Sequence, residues 1–148
     1  MKIEIKDGFQ TLLRSGKSEF KLIGSNPDDY PVLPDVKDEH SFLLPADLMK
    51  SIIRETVFAV SQQETRPILT GVQWVAENGK LSCVATDSHR LARRLTSPEG
   101  MPTDPLSIVI PGKSLQELNK ILPDNNDSIE ILITEQQILF KAANVLFY

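Results

Sequence analysis

An internal repeat constrains the fold of this chain more than any other feature. Phe42-Leu43-Leu44-Pro45-Ala46-Asp47-Leu48-Met49 aligns with Ile108-Val109-Ile110-Pro111-Gly112-Lys113-Ser114-Leu115, an offset of 66 residues (108 minus 42). Each copy has a short apolar run, a proline and then apolar residues at helical spacing, a pattern that predicts a strand leading into a helix. A chain of 148 residues, of which 41% are hydrophobic, can bury a core around two such copies.

Strand-like segments follow each predicted helix, with turns and a bridge between them. The predicted strands lie at about 68–76, 81–87 and 90–96 in the first copy, and at 129–133, 137–142 and from Val145 onward in the second. The hairpin turns are Glu77-Asn78-Gly79 and Thr134-Glu135-Gln136, and Ser97–Pro105 bridges the copies. The sequence therefore predicts an α+β fold with a duplicated β-α-β-β-β unit, its two helices on one side and antiparallel sheets on the other.

Each predicted helix has one apolar face and carries basic residues away from it. Lys50 and Arg54 lie together on the first helix, and Lys113 and Lys120 lie outside the apolar face of the second. The residues expected to face the core are Leu48, Met49, Ile52, Ile53, Val57 and Val60 in the first helix and Leu115, Leu118, Ile121 and Leu122 in the second. An ordinary solvated helix surface explains the basic residues equally well, because Glu55 and Glu117 dilute their charge.

The two ends of the chain differ from the repeated part. Lys2–Ile5 and Ser18–Leu22 alternate like half-buried strands, and Gly24–Pro34 is a turn-rich linker with three prolines. Two or three strands without a helix cannot bury a stable core alone, so this segment needs a packing partner. At the other end Val145–Tyr148 stops within an apolar strand, and we expect the natural chain to continue.

Charge and cysteine content exclude several classes of protein. The net charge is −4, and basic residues outnumber acidic ones only in 41–122, nine against eight. Tight DNA binding through many phosphate contacts is therefore not expected, although the chain can surround DNA. Because there is no long apolar run and Cys83 stands alone, we expect a cytoplasmic protein with no membrane contact. Cys83, His40 and His89 lack metal-ligand spacing, so neither a metal nor a cofactor is expected.

Polar and charged side chains are concentrated in Cys83–Arg94, between two apolar segments. The placement predicts a tight turn at the end of a sheet, where functional residues often lie. Asp87, Ser88 and His89 also suggest a hydrolase or phosphotransferase that uses Asp87, His89 and the nearby arginines. Consecutive residues of a turn point apart, whereas a catalytic triad converges, and no phosphate-binding loop or pair of carboxylates accompanies them. Catalysis is therefore the less favoured interpretation.

This run and four further segments resemble the bacterial DNA polymerase sliding clamp family, the β clamps. The segments are Asp28-Asp29-Tyr30-Pro31, the helix after Leu44-Pro45, Arg66–Val72, Ala85–Ala92 and Ile108–Pro111. The resemblance implies subunits of three domains that pair into a homodimeric ring around duplex DNA, with helices lining the hole. Residues 1–38 would be the C-terminal end of the first clamp domain plus a linker, and 39–148 the middle domain, truncated at its C-terminal end.

The resemblance also implies two binding surfaces. A partner pocket would take Gln-Leu-x-Leu-Phe-like peptides of the polymerase, the clamp loader and other clamp users. Its residues here would be Leu69, Thr86, Ser88, His89, Arg90 and Leu91, and the DNA-facing residues would be Lys50, Arg54, Gln63, Arg66, Lys113 and Lys120. The family often has glycine where Ser88 stands, and some members have tyrosines where this chain has Pro67 and Ile68.

The function implied is that of a DNA replication processivity factor, a non-enzymatic ring segment that holds the polymerase on duplex DNA regardless of sequence. An unrelated peptide-binding module with a duplicated unit is a third interpretation. Without the resemblance, Leu69 and Leu91 would be assigned to the sheet core, and Thr86 and Asp87 to satisfying the amides of the turn.

Overall fold

The computed structural model of the chain describes residues 1–30, 40–102, 104–134, 137–142 and 145–148. The chain divides into two compact units, Met1–Asp35 and Val36–Tyr148, which we call the N-terminal unit and the main unit. The predicted domain boundary after residue 38 lies outside the described residues, as do Glu135 and Gln136 of one predicted turn.

The N-terminal unit is a three-stranded antiparallel sheet. Its strands are β1 (Lys2–Lys6), β2 (Gln10–Ser15) and β3 (Ser18–Ile23), paired in the order β1-β2-β3. Ile3, Leu13 and Phe20 are neighbours across the three strands, and Ile3 and Phe20 are 57% and 60% exposed. Among the described residues of this unit only Leu12 is a buried hydrophobe, so the sheet does not enclose a core of its own.

The main unit contains the predicted β-α-β-β-β unit twice, which confirms the duplicated α+β architecture. The first repeat comprises β4 (His40–Pro45), α1 (Ala46–Thr56), β5 (Gly71–Glu77), β6 (Lys80–Thr86) and β7 (Leu91–Thr96). The second comprises β8 (Leu106–Pro111), α2 (Gly112–Ile121), β9 (Ser128–Ile133), β10 (Ile138–Ala142) and β11 (Val145–Phe147). The β5–β6 hairpin turns at Asn78-Gly79, both at positive φ (52° and 72°), as expected for a two-residue hairpin loop.

The two repeats exchange their first strands, an arrangement that the sequence did not predict. The sheets run in the orders β11-β10-β9-β4 and β7-β6-β5-β8. β4 pairs with β9, with Phe42 opposite Ile131, and β8 pairs with β5, with Ile108 opposite Trp74. Because the fourth strand of each sheet comes from the other repeat, neither repeat completes its sheet alone.

One hydrophobic core lies between the two sheets and the apolar faces of α1 and α2. The Trp74 and Phe140 rings pack edge to face, with centroids 6.5 Å apart and planes at 80°, and this contact joins the two sheets. Cys83 is fully buried, as predicted, and burial raises the pKa of its thiol to about 12. The thiol therefore stays protonated at neutral pH and packs as a small apolar group.

The segment before β5 differs from the prediction. The predicted strand at 68–76 begins only at Gly71, because Pro67–Thr70 forms a 3-10 turn in which Leu69 N–H donates to Arg66 O (3.0 Å). A Cβ atom at Gly71 would lie 2.8 Å from Ile110 O and 2.5 Å from Val109 Cγ1, so the start of β5 can lie this close to β8 only because residue 71 is glycine. The turn carries Leu69 to the outer side of the sheet instead of into the core.

Both helices end earlier than the apolar pattern predicts. α1 ends at Thr56, and Val57 is buried on a separate 3-10 turn, while Val60 is half-buried. Ile121 was expected in the core but is 43% exposed. The backbone becomes extended at Leu122 (φ −65°, ψ 137°), and Leu122 takes the buried position instead at 4% exposure.

Leu44→Ala and Ile110→Ala test the strand exchange. These equivalent positions of β4 and β8 are 0% and 1% exposed, and truncation of such a side chain lowers the free energy of unfolding by about 2–5 kcal/mol. Because each strand completes the sheet of the other repeat, we expect one cooperative transition of the main unit in both variants. Urea titration followed by Trp74 fluorescence and far-UV circular dichroism measures it.

Leu43→Ala is the matched control, since Leu43 lies on the same strand but is 52% exposed. We expect its free energy of unfolding to change by less than about 0.5 kcal/mol. Separate fluorescence and circular dichroism transitions in the Leu44→Ala variant would contradict the exchange as the basis of cooperativity.

Candidate functional site

The polar run forms a four-residue loop, Asp87–Arg90, that joins β6 to β7; we call it the polar loop. Asp87 N–H donates to Arg90 O (3.4 Å) and closes the loop at the end of the sheet, where the sequence predicted a turn. Ser88 has φ +77°, in the left-handed region that glycine adopts without steric cost. The backbone at Ser88 therefore takes a conformation better suited to glycine than to serine.

Asp87 organises the polar loop. Its Oδ1 accepts hydrogen bonds from the N–H groups of His89 and Arg90, each at 3.0 Å, and its Oδ2 accepts one from Arg90 Nε at 3.0 Å. Thr86 Oγ1 donates to Arg90 O (2.7 Å) and accepts from Ser88 N–H (3.2 Å). The His89 N–H, followed by the Arg90 groups, lowers the pKa of Asp87. Thr86 and Asp87 thus satisfy the amides of the turn, as expected.

The loop does not form the catalytic pair of the hydrolase interpretation. Both carboxylate oxygens of Asp87 accept hydrogen bonds from within the loop, and the His89 imidazole is exposed, without a hydrogen bond to any described residue. A triad requires the carboxylate to orient the imidazole and the imidazole to contact the nucleophile. In the part of the chain that is described, no group of three or more His, Cys, Asp or Glu residues could hold a metal ion.

A cavity of about 180 Å³ opens on the outer face of the β7-β6-β5-β8 sheet, beside the polar loop. Two of the predicted pocket residues, Leu69 and Thr86, line it. Leu91 stands opposite Thr86 on the neighbouring strand and is 66% exposed, so the alternative assignment of Leu91 to the core is wrong. Lining residues that the sequence analysis did not assign to the pocket are Ile68, Gly71, Gln73, Val84 and Val109.

The segment after α1 contacts the polar loop at two points. Arg66 Nη1 lies 3.5 Å from Ser88 Oγ, and the Arg90 guanidinium carbon lies 5.8 Å from the centre of the Phe58 ring. Arg66 was expected to face DNA, whereas Ser88 and Arg90 were expected at the partner pocket. The structure brings these residues together, so the two predicted surfaces meet at the polar loop.

The basic residues of the helices lie on solvent-accessible surface, and most are paired with carboxylates. The pairs are Lys50–Asp124, Lys113–Glu64 (3.9 Å) and Lys120–Glu117 (2.7 Å). Exposed pairs of this kind stabilise a fold little, since solvent and salt screen them. They do reduce the net positive charge of the surface formed by α1 and α2.

The remaining predicted DNA-facing residues are exposed and make no ion pair within the described ranges. They are Arg54 on α1, and Gln63 and Arg66 in the segment that follows it. Next to this segment, an open cleft of about 430 Å³ lies between Val60–Gln62 and the start of α2, where Lys113 stands. The surface that carries these basic residues therefore extends into the cleft beside Lys113, but few of its positive charges are free of a carboxylate partner.

Solved structures similar to this chain are DNA sliding clamps, as the resemblance implied. A crystal structure of the DNA polymerase sliding clamp from Bacillus subtilis matches 98% of this chain with a TM-score of 0.91 and 54% identity, and the match covers 38% of that chain. The beta subunit of DNA polymerase from Streptococcus pyogenes matches 98% of this chain with a TM-score of 0.88 and 40% identity, over 39% of its own chain.

The sequence comparison defines the family. A family model described as DNA polymerase III beta subunit, central domain, matches residues 43–148. The beta sliding clamp of Bacillus subtilis (strain 168) is 53% identical over 148 residues, which are 100% of this chain and 39% of that protein. This chain belongs to the DNA polymerase III beta subunit family, and it spans about two fifths of the length of that relative. Within the described residues, neither helix is long and apolar enough to cross a membrane.

Ser88→Gly should stabilise the main unit. Removal of Cβ relieves the strain at φ +77°, and after the entropic penalty of glycine we expect the free energy of unfolding to rise by roughly 0.5–1 kcal/mol. Ser41→Gly in β4 is the control, expected to lower it by a similar amount because its backbone is extended. Urea denaturation measures both, and a destabilised Ser88→Gly variant would show that the conformation is not strained.

Asp87 should make the polar loop sensitive to acid. The pKa of Asp87 in the folded chain lies below the usual 3.8. The stabilisation of the loop by the Asp87 carboxylate is therefore complete above the pKa of the unfolded chain, and it is lost as the pH falls through the pKa of the folded chain. We expect the amide resonances of His89 and Arg90 to shift together with a midpoint below pH 3.8, and Asp87→Asn to abolish this transition. An acid titration followed by NMR checks it, and a midpoint above 3.8 would contradict the hydrogen-bonded loop.

Proposed function

We propose that this chain is part of a ring-shaped DNA sliding clamp, a replication processivity factor that carries out no chemistry itself. The observation that carries the proposal is the apolar cavity beside the polar loop, in a chain of the DNA polymerase III beta subunit family. A cavity of this kind captures a peptide, whereas the same loop lacks a catalytic pair. The helix surface, on different elements of the main unit, is free to face DNA.

We assign 1–38 to the C-terminal end of a first clamp domain plus linker and 39–148 to a middle domain that further sequence completes. The division of the chain near Asp35 and the family match from residue 43 support this assignment. In the complete protein two such subunits would close a cytoplasmic homodimeric ring. The relatives named beta sliding clamp are longer than this chain, which covers 39% and 40% of two of them.

The proposed partner pocket uses Leu69, Thr86, Ser88, His89, Arg90 and Leu91 to bind Gln-Leu-x-Leu-Phe-like peptides of the polymerase, clamp loader and other partners. The cavity of about 180 Å³ has room for an apolar anchor of the peptide. Full burial of one such side chain contributes about 1.5–3 kcal/mol. Two anchors contribute about 3–6 kcal/mol, less the cost of ordering the peptide, so these anchors alone give weak binding, which suits partners that exchange.

The proposed DNA-facing residues are Lys50, Arg54, Gln63, Arg66, Lys113 and Lys120. Carboxylates pair with three of them, so contacts with duplex DNA are weak, depend on salt and do not distinguish sequence. A ring that encloses the duplex does not need tight contacts, because it cannot leave sideways. A polymerase tethered to such a ring rebinds the primer end as an effectively intramolecular partner.

An NMR titration of the isotope-labelled chain with a Gln-Leu-x-Leu-Phe peptide tests the pocket. We expect amide shifts that cluster at Leu69 and Thr86–Leu91. Leu91→Ala should weaken binding about 5–30-fold, because an apolar contact with the peptide worth about 1–2 kcal/mol is lost. Leu95→Ala is the matched control: Leu95 lies on the same strand and is 50% exposed, but it pairs with Ser82, whereas Leu91 pairs with the cavity residue Thr86.

We expect Leu95→Ala to change the dissociation constant less than about twofold. The same titration on the complete subunit shows whether further sequence adds a second wall to the pocket. Equal losses in the Leu91→Ala and Leu95→Ala variants, or no shift in either protein at saturating peptide, would contradict the assigned pocket.

A further inference from the structure

We propose that Asp124 attenuates DNA binding by holding the Lys50 ammonium, so that a phosphate reaches Lys50 only by displacing the Asp124 carboxylate. The inference rests on the DNA-facing role proposed above and assigns a function to a residue outside that set. It explains why a surface with several lysines carries little available positive charge.

The exposures of the two partners show which one is covered. Lys50 on α1 donates to Asp124 Oδ1, in the segment between α2 and β9. The Lys50 side chain is 23% exposed, whereas that of Asp124 is 96% exposed. For comparison, the Lys113 side chain is 93% exposed beside its own acidic neighbour. The carboxylate is therefore open to solvent while the Lys50 side chain is mostly covered, and a phosphate that binds the ammonium has to compete with that carboxylate.

Local contacts hold the segment around Asp124 against α1. Asn125 Oδ1 accepts from Asp127 N–H (3.2 Å), and Asn125 Nδ2 donates to Asp127 Oδ2 (2.7 Å). Asp127 O accepts from Ala46 N–H (2.9 Å), in the first turn of α1. Because the segment is tied to the start of the helix, Asp124 is placed beside Lys50 with little further ordering. The hydrogen bond and charge of Lys50 in turn lower the pKa of Asp124.

An open cleft of about 490 Å³ surrounds this pair, and Arg54 also lines it. Arg54 makes no ion pair with any described residue, so it is available to a phosphate while Lys50 is held back. Carboxylate and phosphate are both anions that accept from an ammonium, so they compete for Lys50. The ion pair makes the positive charge of Lys50 less available to DNA. Binding to the duplex is weaker as a result, and this favours sliding along the duplex.

Asp124→Asn should strengthen binding to duplex DNA. We expect the affinity to rise about 3–10-fold at low salt, and the slope of log K against log salt to become steeper by about 0.9, the value for one added phosphate contact. Asp104→Asn is the matched control, since it makes the same charge change at an exposed carboxylate that forms no ion pair with any described residue and takes no part in holding Asp124. We expect that control to change affinity less than about twofold.

A Lys50→Gln variant distinguishes two effects of Asp124→Asn, the release of the Lys50 ammonium and the rise in net positive charge. In the otherwise unchanged chain it should alter the salt slope little, whereas in the Asp124→Asn background it should remove the whole gain. The measurement is an NMR titration of each labelled variant with random-sequence duplex of about 20 base pairs, at several salt concentrations, because this method resolves weak binding. Circular dichroism confirms folding, which the exposed Asp124 side chain should not affect.

The outcomes distinguish this inference from the proposed function. Equal affinities of the Asp124→Asn and Asp104→Asn variants, or a gain that persists without Lys50, would overturn the attenuating role while leaving DNA binding in place. Absence of salt-dependent binding in the unchanged chain and in every variant would overturn the DNA-facing role and this inference together. A gain confined to Asp124→Asn and dependent on Lys50 supports it.

Discussion

The pairing of β4 with β9 and of β8 with β5 is the interaction on which the rest of the main unit depends. These ladders make two sheets from strands of both repeats and enclose one core, in which Trp74 meets Phe140. They also build the outer surface, because β8 brings Val109 to the cavity that Leu69 and Thr86 line. The proposed peptide site is therefore assembled from both repeats.

The sequence predicted the repeat, both helices, most strands and the polar turn, since these follow from periodicity and from proline and glycine positions. The sequence did not predict the strand exchange. The alternation of apolar and polar residues along β4 or β8 shows which face of the strand is buried, but it does not show which strand pairs with it. The family resemblance brought Leu69 and Thr86 to one pocket, which the cavity supports, whereas Val109 depends on the exchanged pairing. The prediction that α2 includes Leu122 was wrong, because the backbone becomes extended at Leu122, one residue after the end of the helix.

The polar loop shows how residues that suggest catalysis can instead stabilise the conformation of a turn. Both carboxylate oxygens of Asp87 accept hydrogen bonds from within the loop. The side chains of Ser88 and His89 are exposed on the same loop, at the rim of the apolar cavity. Arg66 and Phe58 contact the loop from the segment after α1, so its shape depends on neighbouring structure as well as on its own hydrogen bonds. A rim held in this way can present fixed polar groups to a peptide without ordering them on binding.

The exchanged strands also bear on how such a chain can originate. A single β-α-β-β-β unit would leave its first strand unpaired and one sheet edge open, and two identical copies would satisfy each other by a reciprocal swap about a twofold axis. Fusion of those copies through a segment such as 97–105 makes their association intramolecular, so that it no longer depends on protein concentration. The similarity of Phe42–Met49 to Ile108–Leu115 is what a gene duplication of a symmetric dimer would leave behind.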